Sequence, residues 1–182
     1  LRRERSNTMS NLLVQNIKHT NGTTAQTVDS SGRVLTPARP AFFAYPSANF
    51  STGTGSGTTQ IFDTTQHNVG GHYSTSTGKF TVPIAGVYLF GVTLATGSAT
   101  TVIVYMSAEV TINGSVGSNK RFHGGWGEKD SSTNTHHREH YTIQHYLAVN
   151  DTVQFSHESN VDVTALGGNL GRYTSFWGHL IG

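Results

Sequence analysis

Residues 86–94, GVYLFGVTL, are apolar on both sides of any strand they form. Side chains alternate across a strand, so Tyr88, Phe90, Val92 and Leu94 take one face and Val87 and Leu89 the other. The run TTVIVYMSAEV repeats the pattern, with Val102, Val104 and Met106 opposed to Ile103 and Tyr105. A two-layer sandwich buries only one face of each sheet. The remaining apolar face is too large to stay wet on a lone soluble chain. It needs a cover, either a loop of the same chain or further copies packed around an axis. Three copies are the sharper reading, which makes Val87, Leu89, Ile103 and Tyr105 the interface candidates.

The rest of the sequence favours the same class. No stretch has sustained helical periodicity, whereas short apolar runs such as AFFAY, TQIFD, KFTVP and YTIQHYLAV alternate with turn residues. Asn113-Gly114 and Asn150-Asp151 read as tight hairpin turns, the first with positive φ at both central positions. Eight to ten antiparallel strands sharing a core make a jelly-roll sandwich over residues 39–182. The segment STGTGSGTT reads as a flexible connection; it lacks the Gly-Lys-Ser/Thr of a phosphate loop and its strand and helix flanks. Residues 9–38 alternate loosely around Asn21-Gly22 and Ser31-Gly32. Strands that short and polar cannot bury a core of their own, so they must pack on copies of themselves or on a larger body. Residues 1–8, LRRERSNT, read as a flexible basic leader.

Composition removes several classes. A net charge of +2 among 182 residues demands no nucleic-acid partner. The absence of cysteine excludes disulfides and thiolate metal sites. No run reaches the roughly 18 apolar residues of a membrane helix. There is no Gly-x-Ser-x-Gly elbow, paired-carboxylate pattern or His-Glu-x-x-His motif, so neither an enzyme nor a bound cofactor is expected.

Two groups of residues remain as candidates. Of ten histidines, four fall in HHREHYTIQH. His136 and His140 lie on one side of a strand, roughly 13 Å apart, too far for one metal within a chain. A threefold axis would have to bring equivalent histidines together to hold zinc or nickel; hydrogen-bonding surface histidines are the plainer alternative. In the loop KRFHGGWGEKD, Trp126 between glycines, with Arg121 and His123, suits contact with a sugar or protein. The alternative there is that Trp126 folds back onto the sandwich.

The run GGHYSTSTGKFTVPIAGVYLFGVTL resembles the signature of the complement C1q globular head, through Asn68, Tyr73, Gly78, Lys79, Phe80, Pro83, Gly86, Val87, Tyr88 and Phe90. RPAFFAY, LAVNDTVQF and TSFWGHLIG resemble that family's opening, paired and closing strands, in order. The resemblance implies a jelly roll of the complement and tumour-necrosis-factor type that forms a tight homotrimer. Asn150 stands where the family has Gly, Val82 where it has Cys, and its calcium ligands have no counterpart here. Residues 10–42 resemble the attachment segments of marine bacteriophage fibre and virion appendage proteins. Together these imply a non-enzymatic trimeric virion protein, a tail-fibre or capsid appendage. Residues 9–38 would bind other virion proteins, and the head would recognise a host-surface glycan or protein or decorate the particle. The alternative is a cellular soluble binding or adhesion protein with the same head.

Overall fold

The computed structural model describes residues 13–97, 105–114, 121–123, 137–168 and 173–182, and every regular element among them is a β-strand. The chain divides into two compact units, residues 1–38 and 39–182. The first holds β1 (Asn16–Lys18), β2 (Thr24–Val28) and β3 (Val34–Leu35), antiparallel in that order. Gly22 and Gly32 supply the positive φ of its two turns. Among its described residues none is buried, and Ile17, Val34 and Leu35 are exposed. Among the described residues that sheet has no core of its own.

The second unit is a two-layer sandwich. Its strands are β4 (Ala41–Tyr45), β5 (Phe50–Ser51), β6 (Gly55–Thr59), β7 (Thr64–Val69), β8 (Tyr73–Ser74), β9 (Lys79–Thr81) and β10 (Gly86–Thr96). They continue as β11 (Met106–Ile112), β12 (Arg121–His123), β13 (His137–Leu147), β14 (Thr152–Ser159), β15 (Thr164–Ala165) and β16 (Ser175–Leu180). One sheet runs β5-β15-β10-β16-β4-β7, with β13 on the other edge of β10; the second runs β12-β11-β14-β9-β8, with β6 also on β14. All pairings are antiparallel. The all-β jelly-roll expectation holds.

The inward faces follow the alternation in the sequence. Tyr88, Phe90, Val92 and Leu94 from β10 meet Met106, Ala108, Val110 and Ile112 from β11 and Val153 and Phe155 from β14. Aromatic rings set the spacing. Phe42 stacks on Tyr73 and Phe80 at 4.9 and 5.0 Å and takes Phe176 edge-on at 5.0 Å. Gly178 on β16 leaves room for these rings, because a Cβ there would land on Phe90. The Tyr73 hydroxyl donates to the Phe62 carbonyl at 3.2 Å, so its polar tip is satisfied inside the core.

Two features depart from the sequence reading. TQIFD is not a strand; instead Gly55–Thr59, within the segment read as a flexible connection, pairs with β14. Residues 156–159 of β14 have an edge that β9 does not reach, and that edge recruits the glycine-rich run. Inside KRFHGGWGEKD, Arg121–His123 form β12 against β11 rather than loop. The turn chemistry is as expected. Asn113 and Gly114 have φ of 55° and 65°, and Asn150 has 70°. Asn113 Nδ2 donates to Asp151 at 2.8 Å, which ties the two turns together.

The layers are also joined by polar side chains. The Glu139 carboxylate on β13 accepts the Ala108 N–H of β11 at 3.1 Å. Tyr141, two residues on, bonds the Val110 backbone, and burial pushes its hydroxyl far above the usual phenol range. His157 faces inward on β14 and is fully buried, with no hydrogen-bond partner among the described residues for either ring nitrogen. Burial lowers its pKa to about 4, outweighing the opposing pull of the Glu109 and Asp162 charges.

Phe42→Ala removes a ring that four others contact, and should cost about 3–5 kcal/mol in urea unfolding of the full chain. His157 gives a pH signature. The unfolded chain holds its proton up to about pH 6.5 while the folded state gives it up above about 4. Its stability contribution is therefore complete above 6.5 and falls as pH drops towards 4, by about 3 kcal/mol in all. His157→Phe should flatten unfolding midpoints measured between pH 7 and 4.5.

Candidate functional site

The outward face of the β10 sheet is where chemistry and exposure coincide. Cross-strand partners share a face, so the register defines it. The row Ala41–His179–Leu89–Gln144 crosses β4, β16, β10 and β13. The next row is His67–Phe43–Trp177–Gly91–Thr142, starting from β7, and a third is Ser175–Thr93–His140. At the near end Val87 pairs with Tyr146, and the Ile181 N–H donates to the Val87 carbonyl at 2.7 Å. Tyr146 is 64% exposed and Ile181 40%, so the apolar strip runs to the edge of the head.

At the centre the Trp177 indole lies flat over Gly91, where any Cβ would collide with its ring. His179 stacks parallel to Trp177, with centroids 6.1 Å apart and 12° between planes. Phe43 is flanked by Tyr45 and His67 at 6.5 and 6.4 Å. Val87, Leu89, Phe43, Trp177 and His179 are all half-buried in the single chain, neither core nor fully wet.

Charge on this face is one-sided. Among the described residues the outward positions of its strands hold Arg138, His67, His140 and His179 and no carboxylate, Glu139 of β13 pointing inward. Arg138 stands at the far end over the Tyr173 ring, 4.7 Å from its centroid. Several described carboxylates of the head serve elsewhere. Ser47 and Ser51 hydroxyls bond Asp63 and Asp162 and hold both below the usual carboxylate value. Glu109, buried on the outward side of the second sheet, accepts from Ser107 and Ser156 at 3.2 and 3.3 Å.

The sequence candidates separate in space. Val87 and Leu89 lie on the face just described. Tyr105 sits beside the second sheet, where its N–H donates to Asn160 Oδ1 at 3.2 Å, so it does not join them. Ile103, Trp126 and His136 lie outside the described residues. Arg121 and His123 are placed in β12, but their side chains lie outside the described part. His140 is exposed at the β13 edge. Among the described residues no three or more His, Cys, Asp or Glu side chains gather as a metal site. Phe43, Trp177, His67 and His179 were not anticipated. Alternation within AFFAY and SFWGHL would have placed Phe43 opposite Phe42 and Trp177 opposite Phe176, but it could not place the two side by side.

Solved structures with this architecture include the globular domain of zebrafish complement 1qA, 14% identical with a TM-score of 0.55, covering 79% of this chain and 98% of that one. The Eiger TNF of S. frugiperda is 10% identical with a TM-score of 0.58, covering 80% and 94%. Murine APRIL at pH 8.0 is 12% identical with a TM-score of 0.54, covering 79% and 99%. At such identities the likeness establishes the fold. None of the curated proteins matches this sequence. The C1q domain matches residues 41–181, nearly the whole sandwich with its Asn68–Tyr73 clasp, aromatic core and closing strand, and the chain belongs to that family.

Proposed function

We propose that this chain is a non-enzymatic display protein of a bacteriophage particle, in which three heads pack around an axis through the outward face of the β10 sheet. The observation that carries the assembly is that face: Val87, Leu89, Phe43 and Trp177 stand half-wet in one continuous strip. A closed three-copy ring would bury it without leaving a free edge for unlimited association. The family's fold supports the same arrangement. The particle location is supported by the likeness of residues 10–42 to phage attachment segments. The first unit fits that role, since a small sheet without buried residues gains its stability from partners. It would pack with its sister copies and with other virion proteins, leaving the heads displayed outward.

Display in threes lets weak contacts act together through effective concentration. The segment carrying Arg121, His123 and Trp126 is the proposed contact for a host-surface glycan or protein. Antibody labelling of intact particles by electron microscopy tests the location, and label confined to non-particle fractions would refute it.

Leu89→Glu places a carboxylate in the middle of the strip. It should leave the single head folded, because Leu89 keeps part of its exposure. It should raise the trimer dissociation constant by at least about a hundredfold, since the carboxylate would lose its water against an apolar strip on assembly. Sedimentation velocity at micromolar concentration reads this directly. A wild-type chain that sediments as a folded monomer would refute the assembly.

A further inference from the structure

We infer that the outward face of the β10 sheet makes assembly of the head depend on pH, with His179 as the central group and His67 and His140 at the sheet's two edges. The inference rests on the three-copy arrangement proposed above and adds its regulation.

The argument begins with which groups face these histidines. From β4 come Ala41, Phe43 and Tyr45; from β10 come Val87, Leu89, Gly91, Thr93 and Ala95. From β16 come Ser175 and Trp177, and from β13 come Arg138, Thr142, Gln144 and Tyr146. The only fixed charge in that set is a cation. Among the described residues this face holds no carboxylate to pair with an imidazolium, and its charged groups are all basic.

In the open chain this is tolerable. His67 and His140 are exposed, and His179 is half-buried with one ring face on Trp177. An imidazolium there keeps water on its free side and the indole π-face on the other, a modest attraction. On assembly the indole contact stays but the water goes. Loss of hydration from an unpaired charge outweighs one cation–π contact, so the assembled state favours the neutral ring. Leu89 and Ala41, the register neighbours of His179, supply no compensating acceptor.

The sign follows from linkage. Dissociated chains bind more protons than the trimer, so assembly is strongest where the imidazoles are neutral and weakens as falling pH protonates them. With one imidazole per chain taking up a proton, the dissociation constant climbs by about a thousandfold per pH unit on the acid side. This is separate from His157, which lies inside the sandwich and acts on folding of each head rather than on contact between heads.

Sedimentation velocity of the full chain at pH 7.5, 6.5 and 5.5, with near-ultraviolet circular dichroism to confirm folded heads, provides the test. The expected result is a trimer at 7.5 that gives folded monomers by 5.5. The triple variant His67→Gln, His140→Gln, His179→Gln should remain a trimer throughout. His67→Gln with His140→Gln alone, both at exposed positions, should move the transition partway, and keeps the test available if position 179 does not tolerate change. A wild-type trimer unchanged between 7.5 and 5.5, or a triple variant that dissociates like wild type, overturns the pH inference and leaves the assembly standing. A wild-type monomer at pH 7.5 overturns the assembly itself.

Discussion

β10 is hydrogen bonded along both edges, to β13 over its whole length and to β16 over six residues, so its two faces are its only free surfaces. Both are apolar. One is consumed by the sandwich core, where Tyr88, Phe90, Val92 and Leu94 are buried. The other cannot be reached by any strand of the second sheet. A central strand of this kind fixes the architecture around itself, because the core must form on one side and a second covering surface is wanted on the other. The placement of β16, β4 and β7 follows, each adding its own outward aromatic or histidine to the same face.

The core that β10 anchors is built from rings rather than aliphatic branches. Phe42, Phe80, Phe90 and Phe176 contact one another in stacked and edge-on pairs. Ring packing of this kind tolerates little displacement, which is why Gly178 has no Cβ where Phe90 lies. Polar ties then close the layers where rings do not reach. Glu139 holds the Ala108 N–H, and Asn68 clasps the Tyr73 backbone through both a donated and an accepted bond of 2.8 and 3.1 Å. These ties rigidify the frame that displays the outward strip.

The electrostatic character of that strip sets it apart from the rest of the head. Among the described residues of the head, Asp63 and Asp162 are drawn into turn contacts with serine hydroxyls and backbone N–H groups, Glu109 lies in the second sheet and Glu139 points inward to it. The strip keeps aromatics, small residues and bases. The assembly proposed above would bring these bases together without fixed negative charge, and the proposed pH response would act on contact between copies rather than on the fold of each copy.

Much of this was legible in the residues. Period-two alternation in GVYLFGVTL is local information, so it assigned Tyr88 and Phe90 inward and Val87 and Leu89 outward before any partner strand was known. Turn chemistry is equally local, and the positive φ at Asn113 and Gly114 followed from that dipeptide. What lay beyond the sequence depended on register between distant strands. Trp177 meets Phe43 and Gly91 only because β16 pairs with β4 and β10 at those positions. Gly55–Thr59 became a strand because β14 had an unpaired edge to satisfy, which no local preference encodes. Tyr105 looked equivalent to Leu89, both being outward residues of apolar runs, and the topology put Leu89 in the first sheet and Tyr105 just outside the second. The sequence by itself thus determined which side of each strand is greasy and where the chain turns. Tertiary structure alone decided which greasy sides become neighbours, since hydrogen-bonded pairing over more than a hundred residues is a property of the assembled sheet.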